Sequence, residues 1–419
     1  MQNISFLNQH FYDWMKDSSN KSKIMSLNKT KLEALINALK SDLFDEESYS
    51  KRSLEIENLY QFDYELSNIF SDLINEKNAF NIDYDLENST IFDSNVNKSD
   101  IKYLNEVLLS DGYAPSAFRL HESIKNEIIN TLAQQEFKTK SAISKPILGK
   151  SLIKESQDNN SKIFFGGDTF WLTNQDNLIN EKIFQEIAFD PVLLSIAGNY
   201  LGCWPIHVQT NAWFSFQSQE SHHNLSQNAQ LFHQDKEFIK FLKVFIYLTD
   251  VSHDQGPHCY VKGSHKEELN KKGFAFSQRL NQLDIESIYG KERISTFTGD
   301  AGSILFGDTS SVHRGMPVLR GSRLLLQLEY SSSLYLSPVL PFQDIKFQLP
   351  YDKNILNPRI IKNYNTDLRR RLENKNDFDE VQSKIFRLQL FHLRQEIKRL
   401  LFVIRHKMIL FFKKLISGK

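Results

Sequence analysis

Hydrophobic and polar positions change rhythm along this chain. Up to about Ser99, apolar residues recur at helical spacing inside long polar stretches: in "TKLEALINALKSDLF" Leu32, Leu35, Ile36 and Leu39 fall on one stripe, and "SLEIENLYQFDYELSNIFSDLINE" forms another. Between Asp100 and Phe137 the pattern predicts a helix ending near Gly112, a short strand or turn, and a second helical stripe over Glu122 to Leu132. After Lys150 the elements shorten. Gly, Asp and Asn punctuate the strand-like runs "KIFFGG", "HVQTNAWFSFQ", "FLKVFIYLTDV", "RISTFTG", "SILFGD" and "RLLLQLEYSSS". Short strands divided by turn residues point to a β-sandwich or barrel. From Asn363 the chain returns to polar and then basic helix. The expected organisation is a polar helical extension over 1–99, a mainly β domain over 100–345 and a basic amphipathic helical tail over 346–419.

One run does not suit a core. "LFHQDKEFIKF", Leu231 to Phe241, sets His233 and Asp235 among apolar residues. On a strand the two would project from one face, where burial without partners is costly. An imidazole and a carboxylate converging on one point are good metal ligands. A third ligand comes from "GDAGSILFGDTSSVHRGMPVLRGSRLLLQLEY", which places His313 after a Gly-Asp turn. Two histidines and a carboxylate leave one face of an octahedral ion open, the facial triad of non-haem Fe(II) oxygenases. Arg323 starts the returning strand. Folded as a hairpin, the segment brings Arg323 beside His313, where its guanidinium can hold a carboxylate bidentately, with Arg320 as the nearby rival.

His233-Gln234-Asp235, the distal His313 and Arg323, with "FLKVFIYLTDVSHDQGPHCYVKGSHK" and its Gly-Pro turn and Gly-Ser-His loop, resemble the phytanoyl-CoA dioxygenase family of Fe(II)/2-oxoglutarate oxygenases. The resemblance covers about Asp100 to Pro341. It implies a double-stranded β-helix, or jelly roll. It also implies Fe(II) on His233, Asp235 and His313, and 2-oxoglutarate as cosubstrate with its far carboxylate on Arg323. The implied activity is a dioxygenase (hydroxylase) that releases succinate and carbon dioxide while oxidising a small-molecule or lipid-like substrate. Related halogenases replace the ligand carboxylate with a small residue; Asp235 is present, which favours hydroxylation. The competing reading is a non-catalytic jelly-roll binding or sensing protein, and substrate-independent succinate formation separates the two.

Composition adds bounds. The 419 residues are 40% hydrophobic with formal net charge +0, which argues against a nucleic-acid-coating protein. The 32 phenylalanines and 15 tyrosines suit a β-rich core. Cys203 and Cys259 make no disulfide framework, so a reducing, cytoplasmic setting is expected, with Cys259 a small buried hydrophobe. The opening residues read as no secretory signal and no apolar run reaches a membrane span. Oligomeric state is not encoded in any pattern found here.

Other polar residues have blander readings. His222-His223 suit a solvated loop, and His253, His258 and His265 suit loop positions near the barrel mouth. Gln209, Asn211 and Trp213 alternate along one strand and suit either a pocket lining or a solvent face. Gln234 is expected to point away from the metal.

In the tail, Leu390, Leu393, Ile397, Leu401, Ile404, Met408, Phe411 and Leu415 form an apolar stripe. Arg387, Arg394, Lys398, Arg399, Arg405, Lys407, Lys413 and Lys414 accompany it. The stripe suits a peripheral contact with an anionic membrane, or packing on a partner subunit or the N-terminal helices. On the membrane reading, the chain binds anionic vesicles in a salt-sensitive manner, ignores neutral ones, and loses binding when ended near Asp379. Vesicle co-sedimentation measures this, and a shortened chain that becomes insoluble assigns the stripe to a core or interface.

Overall fold

Asn97 opens the first helix with a capping box. Its side chain accepts from the backbone N–H groups of Ser99 and Asp100, and the Asp100 carboxylate accepts from the Asn97 N–H. Helix α1 (Lys98–Asp111) then stops at Gly112, whose φ of 83° is left-handed. A side chain there would strike Ser311 Oγ and the His265 ring, so this C-cap also packs the helix against two loops. The computed structural model describes residues 86, 89–140, 145–157, 169–217, 225–226, 228–235, 240–267, 279–332 and 345. The N-terminal helical stripes, "KIFFGG", His222-His223 and the basic tail lie outside the described residues. Ile91, Phe92 and Val96 are buried, and Phe92 bridges Leu120.

The chain continues through β1 (Tyr113–Arg119), α2 (Glu122–Leu132), β2 (Glu136–Lys138), β3 (Ile147–Leu148), α3 (Gly149–Ser156) and β4 (Thr169–Leu172). Three helices follow, α4 (Gln175–Ile179), α5 (Lys182–Ala188) and α6 (Pro191–Leu201). The last starts with Asp190 as N-cap and Pro191 in its first turn. Then come β5 (Ile206–Phe216), β6 (Phe241–Tyr247), β7 (His258–Val261), α7 (Gln282–Tyr289), β8 (Ile294–Phe297), β9 (Ser303–Gly307), β10 (His313–Gly315) and β11 (Ser322–Ser331).

Strands β1-β9-β6-β11-β5-β4-β2-β3 form an eight-stranded antiparallel sheet, and β10-β7-β8 form a second sheet of three. Strand β11 lies between β5 and β6, with Leu325 opposite both Trp213 and Tyr247. Its alternation sorts the interior. Leu324, Leu326, Leu328 and Tyr330 share the face on which the Tyr330 hydroxyl donates to the Ala188 carbonyl at 2.8 Å, the face covered by α5. Arg323, Leu325, Gln327 and Glu329 share the other face, which the small sheet covers. Phe245 meets His258 at 4.2 Å between ring centroids, Tyr247 meets Phe297 at 5.2 Å and Tyr113 meets Tyr260 at 5.1 Å. Two antiparallel sheets facing each other across a shared interior make the double-stranded β-helix, or jelly roll. Both cysteines are buried and free, Cys259 within the apolar cluster around Phe232 and Leu280. Among the described residues no helix is long and apolar enough to cross a membrane.

The Gly-Ser-His loop ties β7 to the approach to β10. Ser264 Oγ donates to the Val261 carbonyl at 2.6 Å and accepts the Val312 N–H at 2.8 Å. His265 Nε2 lies 3.3 Å from the Leu109 carbonyl at the end of α1. Replacing Ser264 with Ala leaves the buried Val312 donor without its acceptor, and an unmet buried donor costs about 1–3 kcal/mol. Ser264→Ala should lower the urea midpoint by a corresponding amount at unchanged m-value. A midpoint equal to that of the parent protein would show that this serine does not hold the loop.

Candidate metal centre

Leu231 to Asp235 is not the regular strand that its alternation predicts. It is held by single bridges on both sides: Phe232 pairs with Leu280, and His233 pairs with His313. His233 and His313 exchange both backbone hydrogen bonds at 2.9 Å, and Asp235 N–H donates to the Thr309 carbonyl at 2.7 Å. Cross-strand partners carry their side chains on one face, so the bridge alone places the two imidazoles side by side, 4.3 Å apart between centroids. Gln234 turns away as expected, its amide donating to the Ser310 carbonyl at 2.6 Å.

Each imidazole is fixed in the same way. His233 Nδ1 lies 2.9 Å from the Leu231 carbonyl and His313 Nδ1 lies 2.9 Å from the Ser311 carbonyl. A carbonyl can only accept, so both Nδ1 atoms carry the proton and both Nε2 atoms present lone pairs. Those lone pairs face Asp235 at 3.5 Å (His233 to Oδ1) and 3.6 Å (His313 to Oδ2). Burial, then the neighbouring His313, pull the His233 pKa down to about 3, and burial also lowers that of His313. Burial pushes the Asp235 carboxyl up, but the Lys243 ammonium leads the charges that outweigh it and hold Asp235 below its ordinary value. One ligand atom from each residue lies within 4.8 Å of the others. Three acceptors thus converge in a nearly dry place with no proton between them, an arrangement that repels itself until a cation sits at its centre. The donor set, two neutral imidazoles and one carboxylate, fits Fe(II).

Arg323 reaches the interior by a different route from the one its sequence position predicts. His313 and Arg323 are not hairpin partners. His313 belongs to the three-stranded sheet and Arg323 to the eight-stranded one, because residues 316–321 carry the chain from one sheet across to the other. Arg323 is only 4% exposed. Its guanidinium donates to the Gly256 carbonyl and, at 3.4 Å, to Ser215 Oγ, while Nε–H has no partner. A Cβ at Gly315 would stand 3.4 Å from Nη2, so the glycine two residues after His313 leaves the guanidinium room. Among the described residues no acid pairs with Arg323. A buried, unpaired guanidinium fits a dianionic cosubstrate that could bridge from the metal. Arg320, the rival, is exposed.

Other expectations are corrected. His258 is not a loop residue: it lies in β7, buried, its ring against Phe245 and its Nδ1 3.3 Å from the Tyr247 hydroxyl. Burial and then the charge of Arg323 hold it neutral. His265 is a buried peg under α1 and not a residue of the mouth, and His253 alone is an exposed loop histidine. Gln209 and Asn211 are half-buried and Trp213 is buried on the interior face of β5, where Gln209 accepts from the Gln327 amide at 2.7 Å.

Sequence reasoning missed Lys243. It lies in "FLKVFIY", a strand buried at every position, and is itself 5% exposed. Its ammonium is 2.9 Å from Asp235 Oδ2 and 4.0 Å from Glu329 Oε2, and Glu329 is fully buried in the neighbouring strand. A lone charge inside an apolar run, matched by another in "LLLQLEY", was the available signal.

Residues 131–320 match the phytanoyl-CoA dioxygenase (PhyH) family. With its paired sheets and two-histidine, one-carboxylate cluster, the chain is an Fe(II)- and 2-oxoglutarate-dependent oxygenase; the domain over 131–320 belongs to the phytanoyl-CoA dioxygenase family. Similar solved structures include the non-haem α-ketoglutarate-dependent carbocyclase SnoK from nogalamycin biosynthesis, at 13% identity over 56% of this chain and 84% of that one, TM-score 0.35. HygX from Streptomyces hygroscopicus with nickel, 2-oxoglutarate and hygromycin B bound shares 13% identity over 56% of this chain and 87% of its own, TM-score 0.38. The epimerase SnoN in complex with Fe3+, α-ketoglutarate and nogalamycin RO shares 16% over 56% and 84%, TM-score 0.36. A search of curated proteins finds no match.

Removing Lys243 strips Asp235 and Glu329 of a shared cation, and breaking a buried pair costs about 3–5 kcal/mol. Metal-free Lys243→Met should therefore melt well below the parent protein. Ni(II) then compensates more of the exposed deficit, so the melting shift on adding metal should be larger in the variant. Equal shifts in the two proteins, read by calorimetry, would show that Lys243 and the metal do not share Asp235.

Proposed function

We propose that His233, Asp235 and His313 hold Fe(II), that Arg323 binds the far carboxylate of 2-oxoglutarate, and that the chain hydroxylates a small-molecule or lipid-like substrate with release of succinate and carbon dioxide. The observation that carries this reading is the convergence of two buried imidazoles and one carboxylate, in a domain that also buries a guanidinium with no acid among the described residues to neutralise it. Bound iron with 2-oxoglutarate would supply the activation of dioxygen; the protein's own residues position and exclude. Asp235 stays ionised between Lys243 and the imidazoles, so it is ready to ligate at neutral pH. The Nδ1–H bonds to Leu231 and Ser311 keep both Nε2 lone pairs aimed at one point. Phe245, Tyr247 and Leu325 line the wall between the sheets and keep water from the reacting atoms.

Fe(II)-dependent formation of succinate from 2-oxoglutarate, without added substrate, tests the reading. His233→Ala should abolish turnover and Fe(II) retention while the protein stays folded. Arg323→Ala should still retain Fe(II) but bind 2-oxoglutarate on the order of 30-fold more weakly, as loss of a charge-assisted bond of about 2 kcal/mol requires. Normal succinate formation by folded His233→Ala would remove these ligands from consideration, and an effect of Arg320→Ala in place of Arg323→Ala would move the cosubstrate site.

A further inference from the structure

Three consecutive peptides between β9 and β10 are each gripped at both ends. In the Ser311–Val312 peptide the N–H donates to Ser264 Oγ, and the carbonyl takes the Nδ1–H of His313. In the Ser310–Ser311 peptide the N–H donates to the Asp308 carbonyl at 3.0 Å, and the carbonyl accepts the Gln234 amide. In the Thr309–Ser310 peptide the N–H donates to Asp308 Oδ1 at 2.9 Å, and the carbonyl accepts the Asp235 N–H at 2.7 Å. A peptide unit is planar and rigid, so whatever fixes its N–H also aims its carbonyl. Asp308 thus aims the two carbonyls that hold Gln234 and the metal ligand Asp235.

Other groups of the turn take no part in that aim. The hydroxyls Thr309 Oγ1 and Ser311 Oγ are buried and make no hydrogen bond among the described residues. Asp308 itself is held from two helices. Its N–H donates at 2.8 Å to the carbonyl of Gly112, the residue that ends α1. Its second carboxylate oxygen, Oδ2, accepts the hydroxyl of Tyr200 from the last turn of α6. Both Asp308 and Tyr200 are buried. A buried carboxylate that accepts on both oxygens cannot rotate without leaving a donor unmet, which the interior penalises. An unbroken chain of hydrogen bonds therefore runs from α6 through Asp308 and the Thr309–Ser310 peptide to the backbone of Asp235.

Resting on the metal reading proposed above, we infer that Tyr200 and Asp308 are positioning residues of the metal centre, which act through the Thr309–Ser310 peptide to set the stance of the ligand Asp235. A staple that merely joined α6 to the sheet would contribute to stability and nothing else. This pair does more, because the peptide that Asp308 Oδ1 grips by its N–H ends, at its carbonyl, on a metal ligand. Loosening Tyr200 or Asp308 therefore changes how tightly, and in what geometry, an ion is held.

The test titrates the full-length protein with Co(II), whose visible absorption reports the geometry of its ligands, at a temperature well below melting. Tyr200→Phe should weaken Co(II) binding on the order of tenfold and alter the absorption spectrum of the bound ion. Asp308→Ala should do the same or more. Asp308→Asn should restore both readouts toward those of the parent, because its amide oxygen still accepts the Ser310 N–H and its amide N–H can donate to the Tyr200 oxygen. Tyr330→Phe is the control for stability alone. It also removes a buried tyrosine hydroxyl bond, the one to the Ala188 carbonyl on the opposite face of the large sheet, and should leave affinity and spectrum unchanged even where it lowers the melting temperature. Parental affinity and spectrum in folded Tyr200→Phe overturn the inference, and so does an equal change in Tyr330→Phe. If Asp308→Ala does not fold, the comparison of the two tyrosine variants still decides. A parent protein that binds Co(II) while Tyr200→Phe matches it removes only the positioning role. A parent protein that binds no Co(II) removes the metal reading, and this inference with it.

Discussion

Two imidazole lone pairs face the two oxygens of one carboxylate at 3.5 and 3.6 Å in the interior of the jelly roll, and all of these atoms are acceptors. Acceptors left facing one another in a low-dielectric interior repel, and the surrounding structure works against that repulsion. The double bridge between His233 and His313 fixes two backbones at 2.9 Å, and a carbonyl two residues upstream fixes each ring. Strand β10, only three residues long, could not hold this position alone. It is braced by β7 on one side and by the Ser264 hydroxyl just ahead of it. The fold supplies constraint from backbone pairing, and a bound metal would supply the one thing pairing cannot, a positive charge at the centre.

Charges continue outward from that centre in alternation. Asp235 faces the candidate metal position, Lys243 sits behind Asp235, and Glu329 lies beyond Lys243, the last two directly opposite each other on adjacent strands. Such an alternation has a cost in desolvation that apolar residues would avoid, so its value lies in placement more than in stability. Lys243 occupies Oδ2 of Asp235 at 2.9 Å, which restrains the rotation of the ligand carboxylate.

Much of this was legible in the sequence because the relevant signals are local. His233 and Asp235 stood out as polar residues in an apolar run, and Gly112 and the Glu122–Leu132 stripe marked helix ends that the structure reproduces. What escaped was whatever depends on pairing between distant strands. A hairpin was the shortest path from His313 to Arg323, but the two residues sit in opposite sheets, and the approach comes from closure of the roll. His258 was read as a loop residue because the Gly256-Pro257 turn precedes it directly; in the structure the turn ends there and β7 begins.

The choice of cation follows the state of its partners. Lys243 has two acids within 4.0 Å, and a lysine is sufficient there because its charge is met within the protein. Arg323 has none among the described residues, and it is an arginine. A buried lysine without a partner escapes its desolvation cost by giving up its proton, and with it the ability to attract an anion. Desolvation lowers the pKa of Arg323 too, but a guanidinium starts from so high a value that it stays charged at neutral pH. Its planar donor fork suits carboxylate oxygens. On this reasoning Arg323 is a standing positive charge on the interior face of β11, close to Gly315 two residues beyond His313.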